Sequence, residues 1–260
     1  MILGILQARV SSSRLPGKVL KPILGEPMLL RQIERLLRIE SLDKLLVATS
    51  VNSSDDPIQE LCLKNNVECF RGSLDDVLDR FYQAATQYQP KYVMRFTGDC
   101  PLADPQIADR LISLHLQGGF DCTANAVTPT FPDGLDMEIM CYPALEKAWC
   151  NANLPSYREH VTLYIYQHPK DFMIGSLENL ENLSYMRWTV DEQEDFDLIV
   201  KVYEALYPNN PNFLMQDILD FSSANPELAN INNKILRNEG LLKSLCKDKL
   251  FIEEMTKQNE

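Results

Sequence analysis

Short apolar runs at residues 2–6, 45–48 and 92–96 alternate with longer stretches, at 28–39, 58–65, 77–88 and 107–116, whose apolar side chains recur at helical spacing. This alternation constrains the fold more than any compositional figure. Strands separated by helices cannot be hairpin neighbours, so they pair in parallel through right-handed crossovers that place helices on both faces of the sheet. The pattern predicts an α/β fold with a mostly parallel sheet. Ligands of such sheets gather beyond the carboxyl ends of the strands, which directs the search for a site to the residues that follow each apolar run.

Beyond residue 120 the alternation loosens. Pro129, Pro132 and Gly134 punctuate a loop ahead of 135–141, which reads as a strand, and 173–175 and 186–190 read as further strands. Residues 196–206 read as a helix entered through acidic side chains, which suit the positive end of its dipole. Pro208 and Pro211 then interrupt the chain, dividing it into a main unit at 1–207 and a helical C-terminal extension at 208–260, whose last few residues are expected to fray. A chain of 260 residues, 45% hydrophobic and 24% charged, can fill the core of such a unit. It holds no run of about 18 apolar residues, the length a membrane span needs. Its opening residues lack the flanking charge and apolar length of a secretory signal. Seven cysteines, an odd number with no C-x-x-C pair, suit reduced thiols, so a cytoplasmic location is expected.

The net charge of −12 argues against a surface for nucleic acid polymers, which need extended positive charge. That average hides a basic island: Arg9, Arg14, Lys18 and Lys21 fall within the first 25 residues, where no acid occurs. The segment after the first apolar run, Gln7-Ala8-Arg9-Val10-Ser11-Ser12-Ser13-Arg14-Leu15-Pro16-Gly17-Lys18, combines cations, hydroxyls and free backbone N–H groups at a sheet edge. Those are the parts of an anion cradle, and the obvious ligand is a polyphosphate. It is not a Walker A loop, because Gly17-Lys18 is followed by Val19 and preceded by no correctly spaced glycine; G-x-G-x-x-G is absent as well. A merely solvated basic loop is the competing reading. It is disfavoured because Arg9, directly after a buried strand, calls for an anionic partner.

A second loop, Thr97-Gly98-Asp99-Cys100-Pro101, follows the run at 92–96 and sets Asp99 at the same sheet edge. Magnesium is commonly held by one or two carboxylates together with substrate phosphates, which makes Asp99 a candidate ligand. The alternative is a strand-terminating turn before a helix capped at Asp104. Asp136 and Glu138 fall two residues apart, on one face of the strand read at 135–141.

Several of these segments resemble a known family. Ala8-Arg9, Ser13-Arg14-Leu15-Pro16-Gly17-Lys18 and Gly25-Glu26-Pro27 are similar to the N-terminal signature of the cytidylyltransferases, a group that includes the CMP-Kdo and CMP-sialic acid synthetases. Phe70-Arg71-Gly72-Ser73 with Asp76-Val77-Leu78, Thr97-Gly98-Asp99-Cys100-Pro101-Leu102, Pro155-Ser156-Tyr157-Arg158-Glu159-His160-Val161-Thr162 and Arg187-Trp188-Thr189-Val190-Asp191 resemble, in order, the spore coat polysaccharide biosynthesis protein F branch. Two positions depart from the pattern: Ser11 stands where glycine is usual, and Glu26 where lysine is frequent.

The resemblance implies a Rossmann-like three-layer nucleotide-diphospho-sugar transferase fold, with residues 1–207 as the cytidylyltransferase domain. It implies transfer of a cytidylyl group from CTP to an anionic sugar or sugar-acid-like acceptor, with release of pyrophosphate, in surface polysaccharide or glycoconjugate biosynthesis. It also implies a homodimer. In its terms Ala8, Arg9, Ser11, Ser12, Ser13, Arg14 and Lys18 bind the nucleotide, and Arg71, Ser73 and Arg80 border its base or ribose. Asp99 and Asp191 hold Mg2+ or Mn2+, while Asp136, Glu138, Arg158, His160 and Arg187 face the acceptor. Arg9, Arg14, Lys18 and Asp99 carry the catalysis. Plainer readings stay open for several of these: a helix cap for Asp191, an exposed strand face for Asp136 and Glu138, a structural histidine for His160. Two other functions compete. A nucleotide-sugar-dependent glycosyltransferase needs an Asp-x-Asp after a strand, and the match, Asp195-Phe196-Asp197, sits in a helical pattern. A non-catalytic nucleotide-binding module would bind nucleotide without metal-dependent turnover.

Overall fold

The computed structural model describes residues 1–235 and 239–258. Along the chain run β1 (Ile2–Gln7), β2 (Pro22–Ile23), β3 (Glu26–Pro27), α1 (Met28–Leu36), β4 (Lys44–Ser50), α2 (Asp56–Lys64), β5 (Glu68–Gly72), α3 (Val77–Thr86), β6 (Tyr92–Thr97) and α4 (Pro105–Gly118). The second half holds β7 (Cys122–Ala124), β8 (Glu138–Cys141), α5 (Tyr142–Asn151), α6 (Pro155–Glu159), α7 (Leu163–Gln167), β9 (Ile174–Ser176), α8 (Gln193–Leu206), α9 (Met215–Ala224) and α10 (Glu239–Gln258).

Seven strands form one sheet in the order β5-β4-β1-β6-β8-β7-β9. β1 is parallel to β4 and β6, β4 to β5, and β7 to β9, whereas β8 runs antiparallel to both its neighbours. The chain therefore builds outward from β1 to β5 and then crosses back to β6. That reversal opens a crevice between the β1 and β6 loops, the place where ligands of open α/β sheets bind.

The parallel strands are buried on both faces, which is why their sequences read as continuous apolar runs. Leu3 and Ile5 of β1 pack with Leu46, Phe81 and Leu145 in one layer, while Leu6 packs with Val47, Phe96, Ile33 and Ile199 in the other. Each such side chain contributes about 1.5–3 kcal/mol by leaving water. Within the second layer, Phe213 meets Tyr203 edge-on at 5.3 Å between ring centroids, and Arg35 lies 4.3 Å over the Phe213 ring. Met215 N donates to Asp104 Oδ2 at 2.7 Å, so the chain beyond Pro208 joins the same core. No helix among the described residues is long and apolar enough to cross a membrane.

The second half departs from the sequence expectation. Residues 186–190 are not a strand: their one ladder contact is an isolated bridge, Asp133 to Arg187. That bridge is the pair Asp133 N to Met186 O at 2.9 Å and Trp188 N to Asp133 O at 2.5 Å, and Val190 N goes to Asp99 O at 2.8 Å, so the segment is bonded to two loops. The strand read at 135–141 begins only at Glu138, so Asp136 precedes it. β7 is three residues long, too short for periodicity to announce it. The terminal pair 259–260, where fraying is expected, lies outside the described residues.

Two glycines fix the loops around the crevice. Gly98 N donates to Gln7 O at 2.8 Å, and a Cβ at Gly98 would stand 3.0 Å from that carbonyl, so the β6 loop lies directly on the end of β1. Gly134 has φ +108°, and a Cβ there would fall 2.3 Å from Thr189 N and 2.4 Å from the Trp188 carbonyl carbon. Glycine is required at Gly134 on both counts.

Candidate active site

The crevice is a cleft of about 710 Å³ at the carboxyl edge of the parallel strands. The loop after β1 forms one wall. Val10 N donates to Asp55 Oδ1 at 2.7 Å and Gly17 N to Val10 O at 3.0 Å, curling the serine-rich segment back on itself. Gly17 takes φ +71°, and a single 3-10 turn at Lys18–Leu20 follows. That turn drives Lys18 inward, to 9% exposure.

The Lys18 ammonium is the centre of the arrangement. It donates to Asp191 Oδ1 at 2.9 Å and to Val190 O at 2.6 Å, and lies 3.6 Å from Asp99 Oδ2. Two carboxylates that are 92 positions apart in sequence thus share one cation. Burial opposes the charge on Asp99, but Lys18 and hydrogen bonds from Thr97 and Cys100 together hold its carboxyl below the usual range. Arg14 Nη2 reaches Asp191 Oδ1 at 2.9 Å. Thr189 Oγ1 and Val190 N both donate to Asp99 O, stitching the 187–191 segment to the β6 loop.

Arg187 supports this segment from behind. Its guanidinium bonds Asp195 through Nε and Nη2 at 2.9 and 3.0 Å, Asp133 at 3.0 Å and Asp191 at 3.2 Å. Asp195 also accepts from the backbone N–H groups of Asp191 and Glu192 and from Asn232. With both oxygens engaged and no exposure, Asp195 has no capacity left for a metal-bound diphosphate, which removes the footing of an Asp195-Phe196-Asp197 motif.

The opposite wall comes from the start of β8 and from α6 and α7. Glu138 Oε2 accepts from Arg95 Nη1 at 2.5 Å, and its Oε1 from Thr162 and Tyr166 at 2.7 and 2.6 Å. Burial works against its charge, yet Arg95 and the two hydroxyls hold its carboxyl below the ordinary value. His160 lies on this wall with Nε2 2.9 Å from Ser244 Oγ; burial, aided by Arg95, lowers its pKa.

The cleft brings together most of the residues singled out from sequence. Ala8, Arg9, Ser11, Ser12, Ser13, Arg14, Lys18 and Arg80 line the wall formed by the loop after β1, with Asp99 and Asp191 at the floor. Asp136, Glu138, His160 and Arg187 line the rest. Arg80 is 1% exposed, and burial, reinforced by Arg9, lowers its pKa to about 10; its Nε has no hydrogen-bond partner. Three residues do not line the cleft. Arg158 clasps Asp76 at 2.6 to 3.0 Å and Trp149 O at 2.8 Å. Arg71 bonds Ser50 O, Asn52 O and Asp56 beside a separate hollow beyond the sheet edge. Ser73 supports the cleft indirectly, its carbonyl accepting from Arg80 Nη1 at 2.6 Å. Arg95, Thr162 and Tyr166 escaped the sequence reading; a lone arginine inside the apolar run at 92–96 was the available signal, since a buried charge needs a partner.

The described residues hold no cluster of three or more His, Cys, Asp or Glu side chains suited to a metal ion. Asp99 and Asp191 instead form a two-carboxylate set beside a phosphate-type loop. This set fits an ion that completes its shell with substrate oxygens and water, as magnesium does.

The cytidylyltransferase family model matches residues 3–241. The chain is 34% identical over 241 residues to the spore coat polysaccharide biosynthesis protein SpsF of Bacillus subtilis, covering 88% of this chain and 96% of that one. It is 35% identical over 140 residues to the 3-deoxy-manno-octulosonate cytidylyltransferase of Zea mays, 50% of this chain and 44% of that one. A solved cytidylyltransferase from Leptospira borgpetersenii superposes with a TM-score of 0.84 at 32% identity, covering 88% of this chain and 96% of that one. The α/β sheet, the loop after β1 and these similarities agree, and the chain belongs to the cytidylyltransferase family of CTP-dependent nucleotidyltransferases.

Proposed function

We propose that the protein transfers a cytidylyl group from CTP to an acidic, polyhydroxylated acceptor and releases pyrophosphate, with Mg2+ or Mn2+ held by Asp99 and Asp191. The observation that carries this reading is the shared contact of Lys18 with both carboxylates, at the mouth of a loop that also presents Arg9 and Arg14. When bound, the metal ion supplies positive charge to the phosphate oxygens.

The chain's own groups do the rest. Arg9 and Arg14 hold the β and γ phosphates, with Lys18 reaching them on release from Asp99 and Asp191; the phosphate charge grows as pyrophosphate departs, and preorganised cations of this kind stabilise that change most strongly. Backbone N–H groups of Ser11 and Ser13 and the hydroxyls of Ser11, Ser12 and Ser13 complete the cradle, the Ser12 N–H being taken by Val10 O. No protein nucleophile is needed: an acceptor oxygen attacks the α-phosphorus in line with the leaving group, and the cleft contributes alignment. Arg187, by holding Asp191 and Asp195 together, positions the floor. On the acceptor side, the hydroxyls of Thr162 and Tyr166 and the imidazole of His160 suit a polyol, and the relatives from maize and Bacillus, a 3-deoxy-manno-octulosonate cytidylyltransferase and a polysaccharide biosynthesis protein, point to a sugar acid and to polysaccharide assembly.

Pyrophosphate release measured with each of the four nucleoside triphosphates, against a panel of sugar acids and with or without Mg2+, tests the assignment. Turnover is expected with CTP, an acid acceptor and metal together. Equal rates with all four triphosphates, or metal-independent turnover, refute it.

A further inference from the structure

One wall of the cleft runs past the end of the family match. The matched residues end at 241, just inside α10; Gly240 and Leu241 fall within them, and Ser244 and Lys247, beyond them, border the cleft as well. Their spacing places them on one helical face, turned toward the acceptor side. The helix is fastened rather than loosely draped. Asp248, one position further on and 6% exposed, accepts from Ser156 N at 2.8 Å and from Ser156 Oγ at 2.5 Å, at the first turn of α6. Ser244 Oγ donates to Glu159 Oε2 at 2.8 Å and faces His160 Nε2 at 2.9 Å.

The charges on this side are unevenly held. Arg95 is locked on Glu138 and Arg187 on three carboxylates, so neither guanidinium is available to a ligand. Lys247 differs: its side chain is 63% exposed, and its nearest anion, Glu159 Oε2, stands 3.4 Å away and already accepts from Ser244. An exposed pair of this kind is worth about 1 kcal/mol or less, so a bound anion can draw the ammonium away at small cost.

We propose that α10 is the acceptor-selecting wall of the cleft, and that Lys247, with Ser244 and His160, forms a subsite for the acidic group of the acceptor, a carboxylate or a phosphate. The proposal rests on the cytidylyl-transfer reading and adds to it a recognition element from outside the family match. The subsite selects among acceptors and leaves the triphosphate grip untouched, because Lys18, Arg14 and Arg9 come from the opposite wall.

The test compares the full chain with its Lys247→Ala and Lys247→Arg variants, using CTP, Mg2+ and two acceptor arms, sugar carboxylic acids of six to nine carbons and sugar phosphates. In Lys247→Ala the KM for the responding acid should rise about 3–10-fold, the loss expected for one partly exposed charge-assisted contact, with the KM for CTP unchanged within about twofold. Lys247→Arg should restore most of the affinity, and the arm that responds identifies the acidic group. An unchanged acceptor KM, or an equal loss toward CTP, overturns the proposal. If wild type binds CTP but releases no pyrophosphate with any acid, the transfer reading fails. Calorimetric binding of the same panel to the CTP-loaded wild type and Lys247→Ala then decides the subsite, and binding without Lys247 dependence, or no binding, refutes it.

Discussion

Replacing Lys18 with methionine removes one ammonium while keeping most of the apolar stem, so the effect reports charge rather than packing. Three contacts are lost. The bonds to Val190 O and Asp191 Oδ1, at 2.6 and 2.9 Å, are charge-assisted and shielded, and such bonds contribute about 1.5–3 kcal/mol each at most. Asp191 keeps Arg14 and Arg187 as partners, so its charge does not become orphaned. Asp99 has no other ion pair among the described residues, but its side chain is 31% exposed, so that 3.6 Å pair adds about 1 kcal/mol or less. A net destabilisation of about 2–4 kcal/mol follows, measurable by urea unfolding monitored by tryptophan fluorescence. If Asp99 and Asp191 form a divalent-ion site, Mg2+ must restore more stability to Lys18→Met than it adds to wild type, since the ion replaces the missing charge. On the proposed cytidylyl-transfer reading, pyrophosphate release should fall about 10²–10³-fold, because a cation for the departing phosphates is also gone. Wild-type stability in Lys18→Met, or identical Mg2+ responses in the two proteins, would refute the reasoning irrespective of activity.

Two further outcomes follow from the fold. Gly134→Ala should lose at least about 3 kcal/mol in urea unfolding, from a positive φ and a Cβ driven against the backbone of Trp188 and Thr189; a loss under about 1 kcal/mol means the segments part easily. His115 is 1% exposed, bonds Thr123, and has its pKa lowered to about 4 by burial. The folded state therefore binds its proton less readily than the unfolded chain. The associated stability is present above pH 6.5 and is lost, on the order of 2–3 kcal/mol, as pH falls toward 4. His115→Asn should flatten that part of the stability profile, and an unaltered slope counts against the assignment.

The sequence was most informative where strands are buried on both faces. β1, β4 and β6 announce themselves as apolar runs, and once they are placed, Gln7 and Thr97 mark the strand ends from which the basic loop and Asp99 depart. Asp191 stands out through the family resemblance and its place ahead of the helix read at 196–206; the helix is there as α8, although 186–190 is no strand. Periodicity failed there because Met186-Arg187-Trp188-Thr189-Val190 alternates as a strand does while its hydrogen bonds serve two loops. Arg158 and Arg71 carried a family pattern but are held by neighbouring acids and carbonyls away from the cleft, a difference that only coordinates reveal. The part played by α10 was invisible, because an amphipathic helix does not say which wall it covers.

The direction of β8 has a consequence for how this protein can diversify. Since β8 opposes its neighbours, its first residue, Glu138, lies at the edge where the parallel strands end. The residues that shape that side of the cleft therefore precede a strand, in the segment between β7 and β8, while Lys18 and Asp99 follow β1 and β6. Length and side-chain changes between Ala124 and Glu138, or along α10, can thus alter what enters the far side without moving Lys18 or Asp99. New acceptors can be tried by one half of the cleft while the other half keeps its chemistry.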